Sequence, residues 1–128
     1  MNRLTFVRTL FGITVTTLLR KPGIITFTEH KEIYSGFIAG YQYHKGPCIE
    51  SRFSAGDRLD LVREPDNPFD DRAIAVHYKG TKIGFIPMVN NHVLAKMMDQ
   101  KINVSATIQE FYPNNPTWER VVVRVEIK

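Results

Sequence analysis

The side chains best suited to chemistry in this 128-residue chain lie in a proline-framed loop, Arg-Glu-Pro-Asp-Asn-Pro-Phe-Asp, at residues 63 to 70. Asn67 and Asp70 are the polar groups of interest there. An ionised carboxylate accepts hydrogen bonds and donates none, so Asp70 can accept a sugar hydroxyl and repel a phosphate. Asn and Asp in such turns also bond their own backbone, and this structural role stays open.

A second group of residues suits a single-stranded nucleic acid, which needs flat rings for its bases and positive charge for its backbone. Aromatic and basic side chains lie together at the end of a predicted strand beside Gly46, namely Tyr41, Tyr43, His44 and Lys45. Lys79 and Lys82 flank a predicted hairpin turn and could hold phosphates. Either tyrosine could instead pack into the core, because neighbouring residues of a strand face opposite sides.

Catalytic and metal sites find little support in the sequence. The loop carboxylates Asp66, Asp70 and Asp71 lack the glycine and distal glutamate of a calcium loop, and the four histidines show no ligand spacing. The lone Cys48 excludes an intramolecular disulfide, and no nucleophile pairs with a base. We therefore expect no enzyme activity, no metal and no cofactor.

Composition predicts one soluble domain preceded by an arm. The hydrophobic content is 43% and the net charge is +4, which suits a polyanionic partner without requiring one. No stretch reaches the roughly 20 apolar residues of a membrane span, so we expect a cytoplasmic protein without membrane contact. Residues 1–32 are interpreted as an N-terminal amphipathic arm with a short helix within residues 3–19, and residues 33–128 as the domain. Residues 24–28 could form a strand or a linker.

Alternating apolar residues predict a mainly β domain. A strand bending at its glycines is expected over residues 33–44, and a second one over residues 58–63. A hairpin joins residues 73–78 to residues 81–86, and two further strands cover residues 102–111 and 118–127. A helix follows Pro87, capped by Asn90, with Met97 and Met98 in its core face; Trp118 is expected to anchor the core. These elements indicate a small, curved, barrel-like α+β domain of about six strands with one or two helices.

Several segments together resemble the HIRAN domain family, over about residues 33–128. The landmarks are Gly-Tyr-Gln-Tyr at residues 40–43, the loop with the Ala-Ile-Ala-Val strand after it, and Ile-Gly-Phe-Ile-Pro at residues 83–87. The family includes small free-standing bacterial proteins, and its fold is an OB-like curved sheet or barrel.

The resemblance implies a DNA-repair module that grips the 3′ end of single-stranded DNA without catalysis. By correspondence, Tyr43 stacks on a base or contacts a phosphate, Asn67 and Asp70 recognise the strand end, and Phe111 or Tyr112 supplies another aromatic. Such a module would recruit a helicase or nuclease as partner protein. The resulting nucleic-acid-binding set is Tyr43, His44, Lys45, Asn67, Asp70, Lys79, Lys82, Phe111 and Tyr112.

Three positions depart from the DNA-binding pattern. Gln42 stands where the pattern has arginine, His44 where it has tyrosine, and Met88 where it has a basic residue. Each lost phosphate contact removes about one unit from the salt dependence of affinity. A protein-interaction module on the same fold that has lost recognition of DNA ends is therefore the alternative, and an exposed apolar groove would favour it.

Overall fold

The computed structural model describes residues 13–17, 25–29 and 31–128. The chain divides into two compact units, residues 1–31 and 32–128. In the first unit, strands β1 (Ile13–Thr17) and β2 (Ile25–Glu29) pair antiparallel, with Ile13 opposite Glu29. The helix expected within residues 3–19 is therefore wrong for Ile13–Thr17, where β-branched residues favour a strand. The remainder of that predicted helix lies outside the described residues.

A six-stranded sheet forms the second unit in the order β3-β8-β7-β4-β5-β6. Its strands are β3 (Lys31–Phe37), β4 (Arg58–Glu64), β5 (Ala73–Tyr78), β6 (Thr81–Phe85), β7 (Val104–Phe111) and β8 (Val121–Ile127). Two helices accompany them, a single turn α1 (Gly46–Ile49) and α2 (Asn91–Asp99). The predicted α+β domain of about six strands and one or two helices is confirmed.

A hydrophobic core packs within this second unit. Its side chains come from all parts of the unit, including Ile38, Tyr41, Phe53, Leu59, Ile74, Val76, Ile83, Leu94, Ile108 and Val123. The buried face of α2 carries Asn91, Leu94 and Ala95, at the three- and four-residue spacing of one helical face. Met98 continues this face and packs against the core, as predicted. Asn90 precedes the helix but makes no capping hydrogen bond through its side chain.

The two edges of the sheet meet at a single bridge. Ala39, just after β3, exchanges two backbone hydrogen bonds of 2.8 and 2.9 Å with Phe85 at the end of β6. Gly84 permits this approach, because an added Cβ there would lie 2.6 Å from the Ala39 carbonyl oxygen and 2.3 Å from Ile38. Its φ of +152° is also disfavoured for other residues. The sheet is thus curved and nearly joined at this corner without being closed.

The first strand of the domain is shorter than predicted. It ends at Phe37, because Gly40 adopts a left-handed conformation with φ +69° and turns the chain. Tyr41–Tyr43 then form a 3-10 helix instead of the strand end expected for residues 33–44. The residues 41–46 therefore fold back over the corner where Ala39 meets Phe85. The hairpin of β5 and β6 is confirmed.

Candidate nucleic-acid interface

A cavity of about 260 Å³ opens at this corner of the sheet, and we call it the loop cavity. It is walled by the bridge residues, by the loop between β4 and β5, and by the entry to α2. The lining residues are Ala39, Gly40, Asn67, Phe69, Asp70, Ala73, Phe85, Ile86, Met88 and Asn91. Its volume lies just below the range of about 300–1,000 Å³ typical of small-molecule sites. It can therefore hold one base or sugar, and not a long stretch of chain.

Asn67 organises the loop between β4 and β5. Its side-chain Oδ1 accepts hydrogen bonds from the backbone N–H groups of Phe69 (2.9 Å) and Asp70 (3.2 Å), and its Nδ2 donates to Glu64 Oε1 (3.1 Å). Both lone pairs of the amide oxygen are thereby used, which leaves one N–H of Nδ2 for another partner. The backbone-bonding role that the sequence left open is the one that the structure shows for Asn67.

Arg63 fixes the loop to the rest of the domain. Its guanidinium donates to the carbonyl oxygens of Asp71 (3.0 Å) and Ala73 (2.8 Å), and pairs with Asp99 Oδ1 at 2.9 Å. This hydrogen-bonded partner raises the pKa of Arg63. One side chain from β4 therefore ties the loop to the last turn of α2.

Asp70 presents an ionised carboxylate at the cavity. Its Oδ1 accepts the backbone N–H of Arg72 (2.9 Å) and its Oδ2 accepts Nδ2 of the buried Asn91 (2.7 Å). The Arg72 hydrogen bond, followed by that of Asn91, lowers the pKa of Asp70 below its usual value. A carboxylate offers about four acceptor positions, so two remain for a ligand donor.

Phe69 is the functional candidate that the sequence reasoning missed. Its ring is 90% exposed although it lines the loop cavity, between the two residues assigned to strand-end recognition. A large apolar side chain held in solvent by a rigid turn has no role in the core. The sequence did contain a signal for it. An aromatic residue between Pro68 and Asp70 lies in the turn and outside the alternating pattern of both neighbouring strands, which indicates a role other than packing in the sheet.

The two tyrosines of the 3-10 helix differ in exposure, since Tyr41 is buried and Tyr43 is exposed. Tyr41 is 1% exposed and donates to Glu50 Oε2 at 2.7 Å, and burial raises its pKa far above the usual range. Tyr43 is 82% exposed, and its backbone N–H donates to Gly40, a cavity residue. Tyr41 is thus a core residue, while the ring of Tyr43 is accessible next to the cavity.

His44 contacts two residues of the cavity wall, Gly40 and Phe85. Its Nδ1 is 2.8 Å from the carbonyl oxygen of Gly40, so Nδ1 carries a proton and donates it to that carbonyl. Its ring meets the Phe85 ring edge to face at 5.5 Å. Lys45, which follows, is exposed. Asn67 and Asp70 therefore line the cavity, and Tyr43 and His44 adjoin it through their hydrogen bonds to Gly40.

The lysines of the hairpin are placed differently. Lys79 lies in the turn between β5 and β6, at the opposite end of the hairpin from the cavity, which is roughly 17 Å away at about 3.3 Å per residue. Lys82 pairs with Glu64 at 2.5 Å and lies 4.9 Å from the centre of the Phe85 ring. That ion pair lowers the pKa of Glu64. The structure thus leaves Lys79 apart from the cavity, and Lys82 already paired.

The two aromatic residues at the end of β7, Phe111 and Tyr112, also differ in exposure. The ring of Phe111 packs edge to face against Phe53 in the core, at 5.5 Å, whereas Tyr112 is 41% exposed. Trp118 is 58% exposed, so its prediction as a core anchor is wrong. The strand expected from residue 118 begins at Val121, and Trp118 instead lies in a 3-10 helix (Thr117–Glu119) beside that of Tyr41–Tyr43.

The departing positions have distinct environments. Gln42 turns its amide oxygen inward, where that oxygen is buried and has no hydrogen-bond partner among the described residues. Met88 is 62% exposed at the cavity rim, and continues into exposed Val89 and Val93. The rim therefore presents apolar surface where the DNA-binding pattern has positive charge.

A second cavity of about 530 Å³ lies where β4 and β7 diverge after pairing at Arg58 and Leu59. None of its lining residues is aromatic, so it offers no stacking surface. Among residues 31–128 and the two N-terminal strands, no three His, Cys, Asp or Glu side chains converge as metal ligands. No helix in the described part of the chain is long and apolar enough to cross a membrane.

Comparison with known proteins connects this geometry to a family. The HIRAN domain family model matches residues 31–128. The crystal structure of the HIRAN domain of human HLTF is similar, with a TM-score of 0.61 and 22% identity over 77% of this chain and 78% of that chain. A crystal structure of a protein from Lactobacillus plantarum is also similar, with a TM-score of 0.62 and 23% identity over 76% of this chain and 96% of that chain.

At these identities the two structures show a shared fold, and no curated protein matches the chain. The family match is independent of them and covers most of the sequence, including the loop, the hairpin and α2. The resemblance noted from the sequence is thereby confirmed. The protein belongs to the HIRAN domain family, a family of DNA-binding modules.

Proposed function

We propose that this protein is a non-catalytic module that binds single-stranded DNA and prefers a free 3′ hydroxyl end. The observation that carries the proposal is the exposed ring of Phe69 directly beside the ionised carboxylate of Asp70, at a cavity sized for one base or sugar. A flat ring and an acceptor-only group in adjacent positions suit the terminal nucleotide of a strand.

Base stacking supplies affinity in this scheme. Phe69 and Tyr43 each present a ring that is at least four-fifths exposed, so a base can cover either ring without displacing core contacts. Stacking on an aromatic side chain contributes about 1–3 kcal/mol per base. Tyr112 and Trp118 extend the aromatic surface, whereas the core contact of Phe111 makes it a support.

Asp70 supplies selection for the strand end. Its free lone pairs accept a proton from a terminal hydroxyl, whereas a terminal phosphate brings negative charge to the same place. Two unit charges 4 Å apart repel by about 1 kcal/mol in water and about 4 kcal/mol at the effective dielectric constant of a protein surface. A 3′ phosphate should therefore weaken binding about fivefold or more. Asn67 acts by holding the loop that presents Asp70.

Positive charge for the backbone comes from the exposed Lys45, while the ring of His44 adjoins the cavity through Gly40. The ion pair with Glu64 makes Lys82 a weak phosphate contact, and the position of Lys79 suits only DNA that extends past the hairpin. The module would place a cytoplasmic helicase or nuclease at DNA ends during repair, without catalysis of its own.

Fluorescence anisotropy with short single-stranded DNAs tests this proposal. Oligonucleotides ending in a 3′ hydroxyl or a 3′ phosphate are compared at two salt concentrations, with duplex DNA as control. We expect salt-sensitive binding that is tightest for the free hydroxyl. Asp70→Asn keeps the shape of the side chain but removes its charge, and should reduce the discrimination between the two ends. Equal affinity of the wild-type protein for both ends would refute end recognition.

The apolar rim favours one other candidate function, a protein-interaction module. Phe69, Met88, Val89 and Val93 are all exposed and apolar, which is the feature expected of a protein-docking surface. This alternative predicts that folded protein binds none of the oligonucleotides even at low salt. It also predicts that Phe69→Leu leaves the surface functional, because apolar docking needs no flat ring.

A further inference from the structure

We propose that Arg72 and His92 together form a phosphate-binding subsite at the rim of the loop cavity, and that His92 makes DNA binding depend on pH. This inference rests on the proposed function, because the phosphate belongs to the terminal nucleotide of the bound strand. Neither residue belongs to the set that the sequence suggested.

Two parallel contacts join the loop to the first turn of α2. Asp70 accepts from Asn91, and the guanidinium of Arg72 contacts Nδ1 of His92. The backbone N–H of Arg72 also bonds Asp70. The guanidinium thus originates two residues beyond the carboxylate that accepts the terminal hydroxyl. A nucleotide has its phosphate on the other side of the sugar from that hydroxyl, so adjacent acceptor and donor positions match its two ends.

Arg72 differs from the other cations around this loop because its guanidinium has no close ion pair among the described residues. Arg63 has an ion pair at 2.9 Å and Lys82 one at 2.5 Å, and their side chains are 14% and 34% exposed. The nearest carboxylate to Arg72 is that of Asp71 at 4.0 Å, and its side chain is 52% exposed. A planar guanidinium with free N–H groups binds phosphate through two hydrogen bonds at once. Arg72 can therefore provide charge that the rim lacks at Met88.

The partner of Arg72 gives the subsite its pH dependence. Neutral His92 accepts a hydrogen bond from the guanidinium through Nδ1, whereas protonated His92 has two donors and a positive charge. Two facing cations repel one another unless an anion lies between them, and a bridging phosphate removes that repulsion. The histidine side chain changes charge between about pH 5 and 8. Phosphate binding and proton uptake by His92 should therefore favour each other.

Other charged groups near His92 are few. The loop brings Arg72 and, behind it, Asp71, while α2 carries Lys96 one turn further along. The carboxylate of Asp70 is engaged by Asn91. Val89, three residues before His92, and Val93, directly after it, are uncharged. Arg72 therefore dominates the charge that His92 meets before DNA binds.

Anisotropy titrations of the full chain with 3′-hydroxyl single-stranded DNA, at several salt concentrations and at pH 6 and pH 8, test the subsite. A single-strand phosphate contact contributes about 0.7 to the slope of log affinity against log salt. We expect Arg72→Gln to reduce the slope by about 0.7 at both pH values. His92→Gln should reduce it by a similar amount at pH 6 and leave it unchanged at pH 8. The wild-type protein should bind more tightly at pH 6, and His92→Gln should remove that gain.

Matched variants separate the subsite from general charge effects. Arg58→Gln removes an exposed arginine that, like Arg72, has a carboxylate close in sequence, but that lies at the second cavity. It should leave slope and pH dependence unaltered. His44→Gln removes the other histidine of the site and should preserve the His92 contribution. Since Arg72 and His92 are both exposed, thermal unfolding of the variants should match that of the wild type.

The possible failures are distinguishable. Wild-type protein that binds DNA while Arg72→Gln and His92→Gln retain its slopes and pH dependence overturns the subsite and leaves the proposed function standing. Wild-type protein that binds no single-stranded DNA refutes the proposed function. NMR titration with inorganic phosphate then decides the subsite alone: absence of any shift in the His92 ring signals at pH 6 overturns it.

Discussion

Replacement of Phe69 by alanine tests the centre of the proposed site. The ring is 90% exposed, so truncation removes almost no core contact, and the free energy of unfolding should change by less than about 0.5 kcal/mol. If a terminal base stacks on the ring, the same change removes about 1–3 kcal/mol of binding free energy. With RT near 0.59 kcal/mol, the dissociation constant should rise about 5- to 160-fold.

Two further variants identify what the ring does. Phe69→Tyr keeps a flat aromatic face and should bind single-stranded DNA within about twofold of the wild type. Phe69→Leu keeps an apolar side chain without that face, and should lose most of the affinity that Phe69→Ala loses. Val62→Ala truncates another exposed apolar residue, on β4 and outside the cavity, and serves as the control.

Anisotropy titration with a 3′-hydroxyl oligonucleotide gives the dissociation constants, and chemical denaturation gives the stabilities. A Phe69→Ala protein that is fully folded and binds within twofold of the wild type would refute base stacking at this position. Equal binding by Phe69→Leu and the wild type would point instead to apolar docking, and thus to the protein-interaction alternative.

Three stability measurements address the supports of the site. Gly84→Ala should lower the free energy of unfolding by about 3 kcal/mol in urea denaturation, because of its φ and the contact with the neighbouring backbone; a loss below 1 kcal/mol would contradict this account. Gln42→Met replaces a buried, unpaired amide oxygen and should raise the free energy of unfolding by about 1 kcal/mol, whereas a decrease would show that the amide has a partner. The pKa values of Glu64, Asp70 and Asp99 are lowered on folding, so their stabilisation is complete above the ordinary values of 4.5 and 3.8 and is lost as pH falls through the lowered ones. Denaturation at pH 7, 5 and 3 should show stability nearly level to pH 5 and reduced at pH 3, and a level profile to pH 3 would be inconsistent with these shifts.

The regular strands and α2 were predictable because their signal is local. Alternation over residues 73–86 with a Lys-Gly turn fixes a hairpin, and the helical spacing after Pro87 fixes α2. The strand predicted over residues 33–44 ends before Gly40, where glycine can adopt either an extended or a left-handed conformation. The left-handed turn allows Tyr41 to pack against Gly46, a contact distant from the local pattern.

The site was predictable only in part, because exposure is a tertiary property. The loop motif identified Asn67 and Asp70, and the position of Phe69 between them set it outside the alternation of the strands. The sequence alone did not show how far the Phe69 ring is exposed or that Tyr41 is buried. Trp118 was assigned to the core because tryptophan is usually buried there. Its position in a 3-10 helix depends on the turn at Pro116, whose effect on the following strand the local pattern does not reveal.

The departures at Gln42, His44 and Met88 reduce the positive charge of the site but keep its exposed aromatic rings. Gln42 faces inward and Met88 adds apolar surface, so two positions that would carry charge now carry none. The exposed rings are retained. The turn that holds Phe69 lies apart from those positions, and the turn that holds Tyr43 uses the backbone around Gln42 and not its side chain. Stacking should therefore contribute most of the affinity for DNA, with charge limited to Lys45, Arg72 and protonated histidine. On the proposed function, we expect this site to bind strand ends through shape and a hydroxyl acceptor. We expect it to bind internal phosphates weakly, because Asp70 and Asp71 would place negative charge along the path of an uninterrupted strand.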